Sequence, residues 1–217
     1  MIKNILLIIM MISFTNIARC ELFKEDFEKK DSLKNWEIMQ GNPEISSAQK
    51  HGGKFSLSLP QETRLFWFAD DKKNRFGKAS FWVYDSKVGG KSLGKNANGP
   101  KFGLINFNEQ KFFLGIIKRQ DRAVWGTYNW CSTIAGDSDW WQVGPEFHKN
   151  KVTKGWHKFT FNVSDKETIE VSIDETAPAK ISAEKSEFDR GFSGVCFENK
   201  KDGEETFFYD DIEIEFK

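Results

Sequence analysis

The sequence predicts an all-β chain folded as a two-sheet antiparallel sandwich, and three observations carry that expectation. Apolar and polar residues alternate at period two in one segment after another, the spacing of strands with one buried face. No stretch after residue 21 repeats apolar residues at helical spacing over three turns. The composition leans to aromatics, with 21 Phe and 8 Trp among 217 residues, side chains that suit pleated, half-buried surfaces.

The elements follow in order. Residues 54–59 place Phe55, Leu57 and Leu59 on one face and Ser56 and Ser58 on the other, entered through the Gly52-Gly53 turn. Residues 64–68 and 78–84 are the next strands, and in the second Ala79, Phe81 and Val83 oppose Trp82 and Tyr84. Residues 101–106, 111–118 and 123–128 continue the series. Residues 155–163 set Trp156, Lys158, Thr160 and Asn162 against His157, Phe159, Phe161 and Val163, while 168–173 turn Ile169, Val171 and Ile173 inward. Residues 191–198 and 206–216 close the chain, the last alternating Ile212, Ile214 and Phe216 with Asp211, Glu213 and Glu215. About ten or eleven strands with hairpin-like spacing and no intervening helices pack as two antiparallel sheets. Between them, 86–100 is rich in Gly, Lys and Asn and reads as an exposed loop. Residues 130–154 lack clean alternation and read as a long excursion; 175–189, with Ala177-Pro178-Ala179, read as a crossing between sheets.

The first twenty residues predict an address rather than structure. Lys3, the apolar run from Ile5 to Ile12 and a more polar tail to Arg19 follow the order of a secretory signal peptide. That apolar run is far shorter than the roughly 20 residues needed to span a bilayer. Ala18 and Cys20, two apart, allow cleavage before Glu21, leaving 21–217 as one domain outside the cytoplasm, secreted, periplasmic or extracellular. A lipid anchor at Cys20 is the competing reading, and Arg19 directly before it departs from the small-residue pattern of lipoprotein signals. Cleavage removes Lys3 and Arg19, so the 32 basic side chains fall to 30 against 32 acidic ones. No basic excess is then available for nucleic acid or an anionic membrane. Cys131 and Cys196 either pair in an oxidising compartment or pack as buried thiols, because spacing alone does not bring two Cα atoms within about 7 Å. Asn162-Val163-Ser164 fits an N-glycosylation acceptor in a eukaryotic host.

The two ends carry a resemblance. The opening run from Leu22 through Glu28, then Leu33 and Trp36, then His51-Gly52-Gly53-Lys54-Phe55-Ser56-Leu57, resembles extracellular jelly-roll modules of the concanavalin A-like lectin/glucanase and galactose-binding-like types. The closing Phe208-Tyr209-Asp210-Asp211-Ile212-Glu213-Ile214 looks like their last strand, and Gly155-Trp156-His157-Lys158-Phe159 is similar to a strand entry of laminin-G-like sandwiches. The resemblance implies a jelly-roll β-sandwich, a carbohydrate-binding module among carbohydrate-active machinery, and neighbouring first and last strands. That neighbourhood gathers Glu25, Asp26 and Glu28 near Asp210 and Asp211, where either basic side chains intersperse or a cation neutralises the carboxylates. The resemblance implies a structural calcium held by Glu25, Asp26, Asp210 and Asp211, an ion suited to hard oxygen ligands; the plainer reading is a charged strand edge that resists aggregation.

Ligand chemistry is densest from Trp125 to Gln142. Trp125, Tyr128, Trp130, Trp140 and Trp141 offer rings for the C–H faces of sugars, with Asp139 and the nearby Arg119 to hydrogen-bond hydroxyls or an anionic sugar. The competing reading is that these rings fill the core under a long loop. Adjacent Trp140 and Trp141 cannot both face inward on a regular strand. No catalytic set emerges: the paired carboxylates of a retaining glycosidase have no matching run, the nearest being Glu170 to Glu175. His51, His148 and His157 fall in unrelated contexts, and there is no phosphate loop, His-Glu-x-x-His or Cys-x-x-Cys. The leading expectation is a secreted non-catalytic module that binds a glycan. The alternatives are a small polysaccharide-degrading enzyme using Asp137, Asp139 or Glu146 with His148, and a surface protein-interaction module.

Overall fold

In each strand the inward side chains decide which face is buried, and the observed pairing follows that parity. The computed structural model describes residues 21–85, 98–117, 128–132, 140–144, 153–183, 186, 188–199 and 206–217. Residues 1–20, expected to be a signal peptide, and residues 123–127 of one expected strand lie outside the described residues. In chain order the strands are β1 (Glu21–Glu25), β2 (Glu37–Gln40), β3 (Glu44–Ser46), β4 (Ser56–Leu59), β5 (Thr63–Phe68), β6 (Gly77–Asp85), β7 (Asn98–Ile105) and β8 (Lys111–Ile117). They continue as β9 (Tyr128–Ser132), β10 (Trp141–Gln142), β11 (Gly155–Val163), β12 (Thr168–Ile173), β13 (Ala179–Ser182), β14 (Gly194–Asn199) and β15 (Phe207–Phe216).

They form two antiparallel sheets. One is eight-stranded, ordered β13-β12-β11-β6-β15-β4-β3 with β1 also on β15; the other is seven-stranded, ordered β10-β9-β8-β7-β14-β5-β2. The chain changes sheet repeatedly, as in a jelly roll. First and last strands do lie side by side, with Glu21 opposite Phe216 and Glu25 opposite Ile212. No helix among the described residues is long and apolar enough to cross a membrane.

The core between the sheets is an aromatic lattice. Phe81 of β6, fully buried, meets Phe161 of its own sheet at 5.5 Å and Phe102 and Phe197 of the opposite sheet at 5.8 and 5.0 Å, the last two edge to face. Such ring pairs add to the area they bury. Polar ties cross the layers: the buried Tyr128 hydroxyl of β9 donates to Asp85 of β6 at 2.6 Å, and the Asn199 amide of β14 to the Leu59 carbonyl oxygen of β4 at 3.0 Å. Burial first, then the Asp85 carboxylate, pushes that phenol well above its ordinary pKa.

Several expectations change at the edges. Residues 130–154 are not wholly irregular, for Trp130 lies in β9 and Trp141 in β10, two strands too short for alternation to show. Likewise 175–189 contains β13, which pairs with β12, so the crossing between sheets comes after Ser182. Phe55 is exposed rather than core-facing, because β4 starts one residue later and the Phe55 N–H is held by Glu28 at 2.8 Å. Cys131 and Cys196 are buried free thiols. They share one face of the seven-stranded sheet with β8 and β7 between them, through Phe113 and Gly103, and adjacent strands lie about 4.8 Å apart. Burial pushes the Cys196 thiol well above its ordinary pKa, which removes the thiolate that disulfide exchange needs.

Two titratable groups pin loops to this frame. The buried Asp210 of β15 accepts the His51 N–H at 3.0 Å and the Gly52 N–H at 3.3 Å, and burial raises its carboxyl from 3.8 to about 6. His157 of β11 sets Nδ1 2.9 Å from the Asp174 carboxylate and Nε2 2.9 Å from the Thr153 carbonyl oxygen. Desolvation opposes its charge, yet these partners hold its pKa above 6.5. Both groups bind protons better folded than unfolded, so each contributes stability at low pH that is lost as pH rises through its folded pKa. We expect thermal stability to decline between pH 4 and about 6 through Asp210, a step that Asp210→Asn flattens. A second decline above pH 6.5 belongs to His157, and His157→Gln removes it. Differential scanning calorimetry across pH 4–8 reads both; an unchanged profile in either variant excludes that assignment. Phe81→Ala opens a cavity in the ring lattice and should cost about 3–5 kcal/mol in urea denaturation.

Candidate functional site

Adjacent residues on a strand face opposite sides, and that rule divides the tryptophans read from the sequence. Trp141 lies opposite Trp130 in the β10–β9 pair, and the two rings sit 4.7 Å apart, tilted 30°. Trp130 in turn stacks on the buried Phe112 of β8 at 5.6 Å and 23°. The three rings make a stack that begins in the core and ends, half-buried, on β10, the last strand of the seven-stranded sheet among the described residues. Each outer ring is thereby held by the one beneath it, an aromatic edge with little rotamer freedom left to lose on binding.

Trp140 goes the other way. It is 1% exposed and packs on the outer face of the same sheet with Phe66, Phe68, Ile105, Phe113, Cys131 and Cys196. Tyr128 is also buried, committed to Asp85 and to ring contacts with Phe102 and Phe159. Neither presents a free ring face, so of the expected platform Trp130 and Trp141 remain. Arg119, Trp125 and Asp139 lie outside the described residues, as do Asp137, Glu146 and His148.

The outer face of the seven-stranded sheet holds a group that period-two reading passed over. Strand register aligns Gln142, Asn129, Gly115, Lys101, Glu198, Arg64 and Gln40 in one row across all seven strands. Asn129, Lys101 and Glu198 are 0%, 1% and 4% exposed, burial that polar groups bear only when partnered. Glu198 accepts a hydrogen bond from Lys111 at 3.1 Å and forms an ion pair with the Arg64 guanidinium at 3.0 Å. The Lys101 ammonium lies 5.2 Å from the Trp140 ring centre and 5.5 Å from that of Phe113. The sequence signal was available: Phe102 and Leu104 face inward, which forces Lys101 outward, and Val195 and Phe197 do the same to Glu198.

The carboxylates at the seam of β1 and β15 divide among different partners. Glu25 accepts the Phe27 N–H and the Ser32 hydroxyl, both at 2.8 Å, and Asp26 accepts the Glu28 N–H at 3.2 Å. Asp211 takes the His51 ring at 2.6 Å, and Asp210 accepts the backbone N–H of the same His51 at 3.0 Å. Glu28 accepts the Lys54 and Phe55 N–H groups at 2.6 and 2.8 Å, in a turn where Gly53 has φ of +53° and leaves no room for a Cβ beside that carboxylate. Lys24 and Lys29 join Glu25, Asp26 and Asp211 around one cavity, and Lys24 reaches Glu213 at 2.8 Å. Basic side chains thus intersperse among the acids, and no three His, Cys, Asp or Glu side chains among the described residues form a metal-holding group.

No family model matches the chain, and no curated protein sequence matches it. Solved structures do. The protein described as cellulose induced protein, Cip1, superposes with a TM-score of 0.60 at 14% identity, covering 88% of this chain and 96% of its own. A glycoside hydrolase family 16 endo-glucanase from Bacteroides ovatus gives 0.57 at 13% identity, covering 88% and 99%. A carbohydrate esterase of Shiga toxin-encoding bacteriophage phi24B gives 0.57 at 12% identity, covering 89% and 97%. At these identities the likeness is one of fold: the chain has the concanavalin A-like jelly-roll fold.

Proposed function

We propose that the protein is an exported, non-catalytic module that binds a glycan. The observation that carries this reading is the Phe112–Trp130–Trp141 stack, which brings a half-buried indole to the end strand of the seven-stranded sheet. Sugar rings pack their C–H faces on such surfaces. The likeness to carbohydrate-active proteins supports the ligand class, since an endo-glucanase and a carbohydrate esterase use the same scaffold; fold alone does not fix function. Two carboxylates among the described residues of the outer face of the seven-stranded sheet are occupied structurally. Glu198 and Glu37, both directed to the outer face of the seven-stranded sheet, are tied to separate cations, Arg64 with Lys111 and Lys72. A retaining glycosidase instead faces two carboxyl groups about 5–5.5 Å apart.

Affinity electrophoresis of residues 21–217 through gels of neutral and acidic polysaccharides should retard the protein in at least one. A Trp130→Ala, Trp141→Ala double variant should lose at least about tenfold in affinity. Unchanged retardation in that variant removes the edge as the site, and release of reducing ends from the same polysaccharides replaces the binding reading with an enzymatic one.

A further inference from the structure

A sheet that buries one face in a sandwich needs only polar residues on the other. The eight-stranded sheet departs from this at one end. Trp156 of β11, Tyr84 of β6 and Phe208 of β15 lie directly opposite one another, and Trp82 of β6 stands in the next row between Lys158 and Asp210. All four rings are half-buried on the outward face. Tyr84 meets Trp156 edge to face at 5.5 Å and Phe208 at 6.3 Å. The His51 ring stacks on Trp82 at 3.7 Å, with its edge 5.8 Å from Trp156, and is itself held by Asp211. Cross-strand ring pairs stabilise a sheet by only about 0.2–1 kcal/mol each, while these rings still show apolar surface to water.

Toward the other end the same three strands turn polar. Ser80, Thr160 and Glu213 form the next row, then Lys78, Asn162 and Glu215. There the face sinks into a cavity of about 300 Å³ whose lining includes Thr160, Asn162 and Ser172, with Pro178 among its walls. Its charged lining balances, Lys78 and Lys217 against Glu170 and Glu215, so the cavity favours neither sign. Asn162 donates to Glu170 at 2.9 Å, which fixes the amide in the cavity. From Tyr84 to Lys78 along β6 is six residues, about 20 Å.

We propose that this outward face is a second saccharide-binding surface, taking a neutral oligosaccharide with one end on the Trp156–Tyr84–Phe208 row and its hydroxyls against Thr160 and Asn162. It rests on the glycan reading above but uses a different sheet from the Trp130–Trp141 edge. Aromatic rings with a charge-balanced, hydroxyl- and amide-lined cavity on one continuous face are the two halves of a sugar site. A large anion would meet the Glu170 and Glu215 carboxylates, and a cation the two lysines.

Isothermal titration of the 21–217 protein with neutral hexasaccharides (cellohexaose, laminarihexaose and xylohexaose) tests it. Two sites per chain are expected with at least one of them. Trp156→Ala with Tyr84→Ala should leave one site; Thr160→Ala with Asn162→Ala, which keeps the ring row, should weaken the second site at least threefold. Trp130→Ala with Trp141→Ala should abolish the other site and spare this one. Two undiminished sites in both face variants overturn the inference and leave the glycan reading standing, as does a single site lost only with Trp130 and Trp141. Absence of binding to any neutral or acidic saccharide removes both. Concentration-dependent dimerisation abolished by Trp156→Ala, without saccharide binding to the face, assigns it to a second copy instead.

Discussion

The interlock of aromatic rings between the two sheets is the constraint on which the rest depends. Phe81, Phe102, Phe161 and Phe197 meet at centroid distances of 5.0–5.8 Å across and within the layers, and close-packed interiors tolerate no one-residue slip, which would move every one of these rings to the outer face. Register is therefore fixed from within. Once it is fixed, every outward position is assigned as well: Lys101 and Glu198 on one sheet, Trp82, Tyr84 and Trp156 on the other.

The two outer faces use that assignment differently. On the seven-stranded sheet the outward row carries charges that are almost wholly buried, with Glu198 between Arg64 and Lys111 and Lys101 over two aromatic rings. Desolvating charges is costly, and such pairs offset the cost only with good geometry and further hydrogen bonds. That face is committed to specifying its own arrangement, together with the second apolar cluster around Trp140. On the eight-stranded sheet Ser80 and Asp210 are buried, but Trp82, Tyr84, Trp156 and Phe208 at the aromatic end and Lys78, Thr160 and Asn162 at the polar end are half-buried or exposed.

The long strands were legible because nine or ten residues of alternation overwhelm local noise: β6, β11 and β15 are read almost to the residue. The edge strands were not. β2 is exposed at all four positions, β10 has two residues, and β13 four, so none has an inward face long enough to produce a pattern. The site was legible in part for a related reason. Parity says that Trp140 and Trp141 diverge, but only register with Trp130 says which of them joins the stack. Trp82 and Tyr84 were seen to share a side, whereas Trp156 and Phe208 become their neighbours only through pairing across 72 and 124 residues of chain, between Tyr84 and each in turn.

Sharing a scaffold with an endo-glucanase and a carbohydrate esterase fixes where chemistry can be mounted, not what is mounted there. In this chain the candidate positions fall into two kinds. The Phe112–Trp130–Trp141 stack grows out of the core, so its outermost ring is rigid because the fold is rigid. The Trp156–Tyr84–Phe208 row lies on a face whose backbone is fixed by the same core, and among the described residues its ring contacts are with one another and with His51. The proposed edge site therefore depends on packing inside the sandwich, and the proposed face site on ring contacts along the outward face. Because the two proposed surfaces share no ring contact among those described, substitutions in one should act independently of the other.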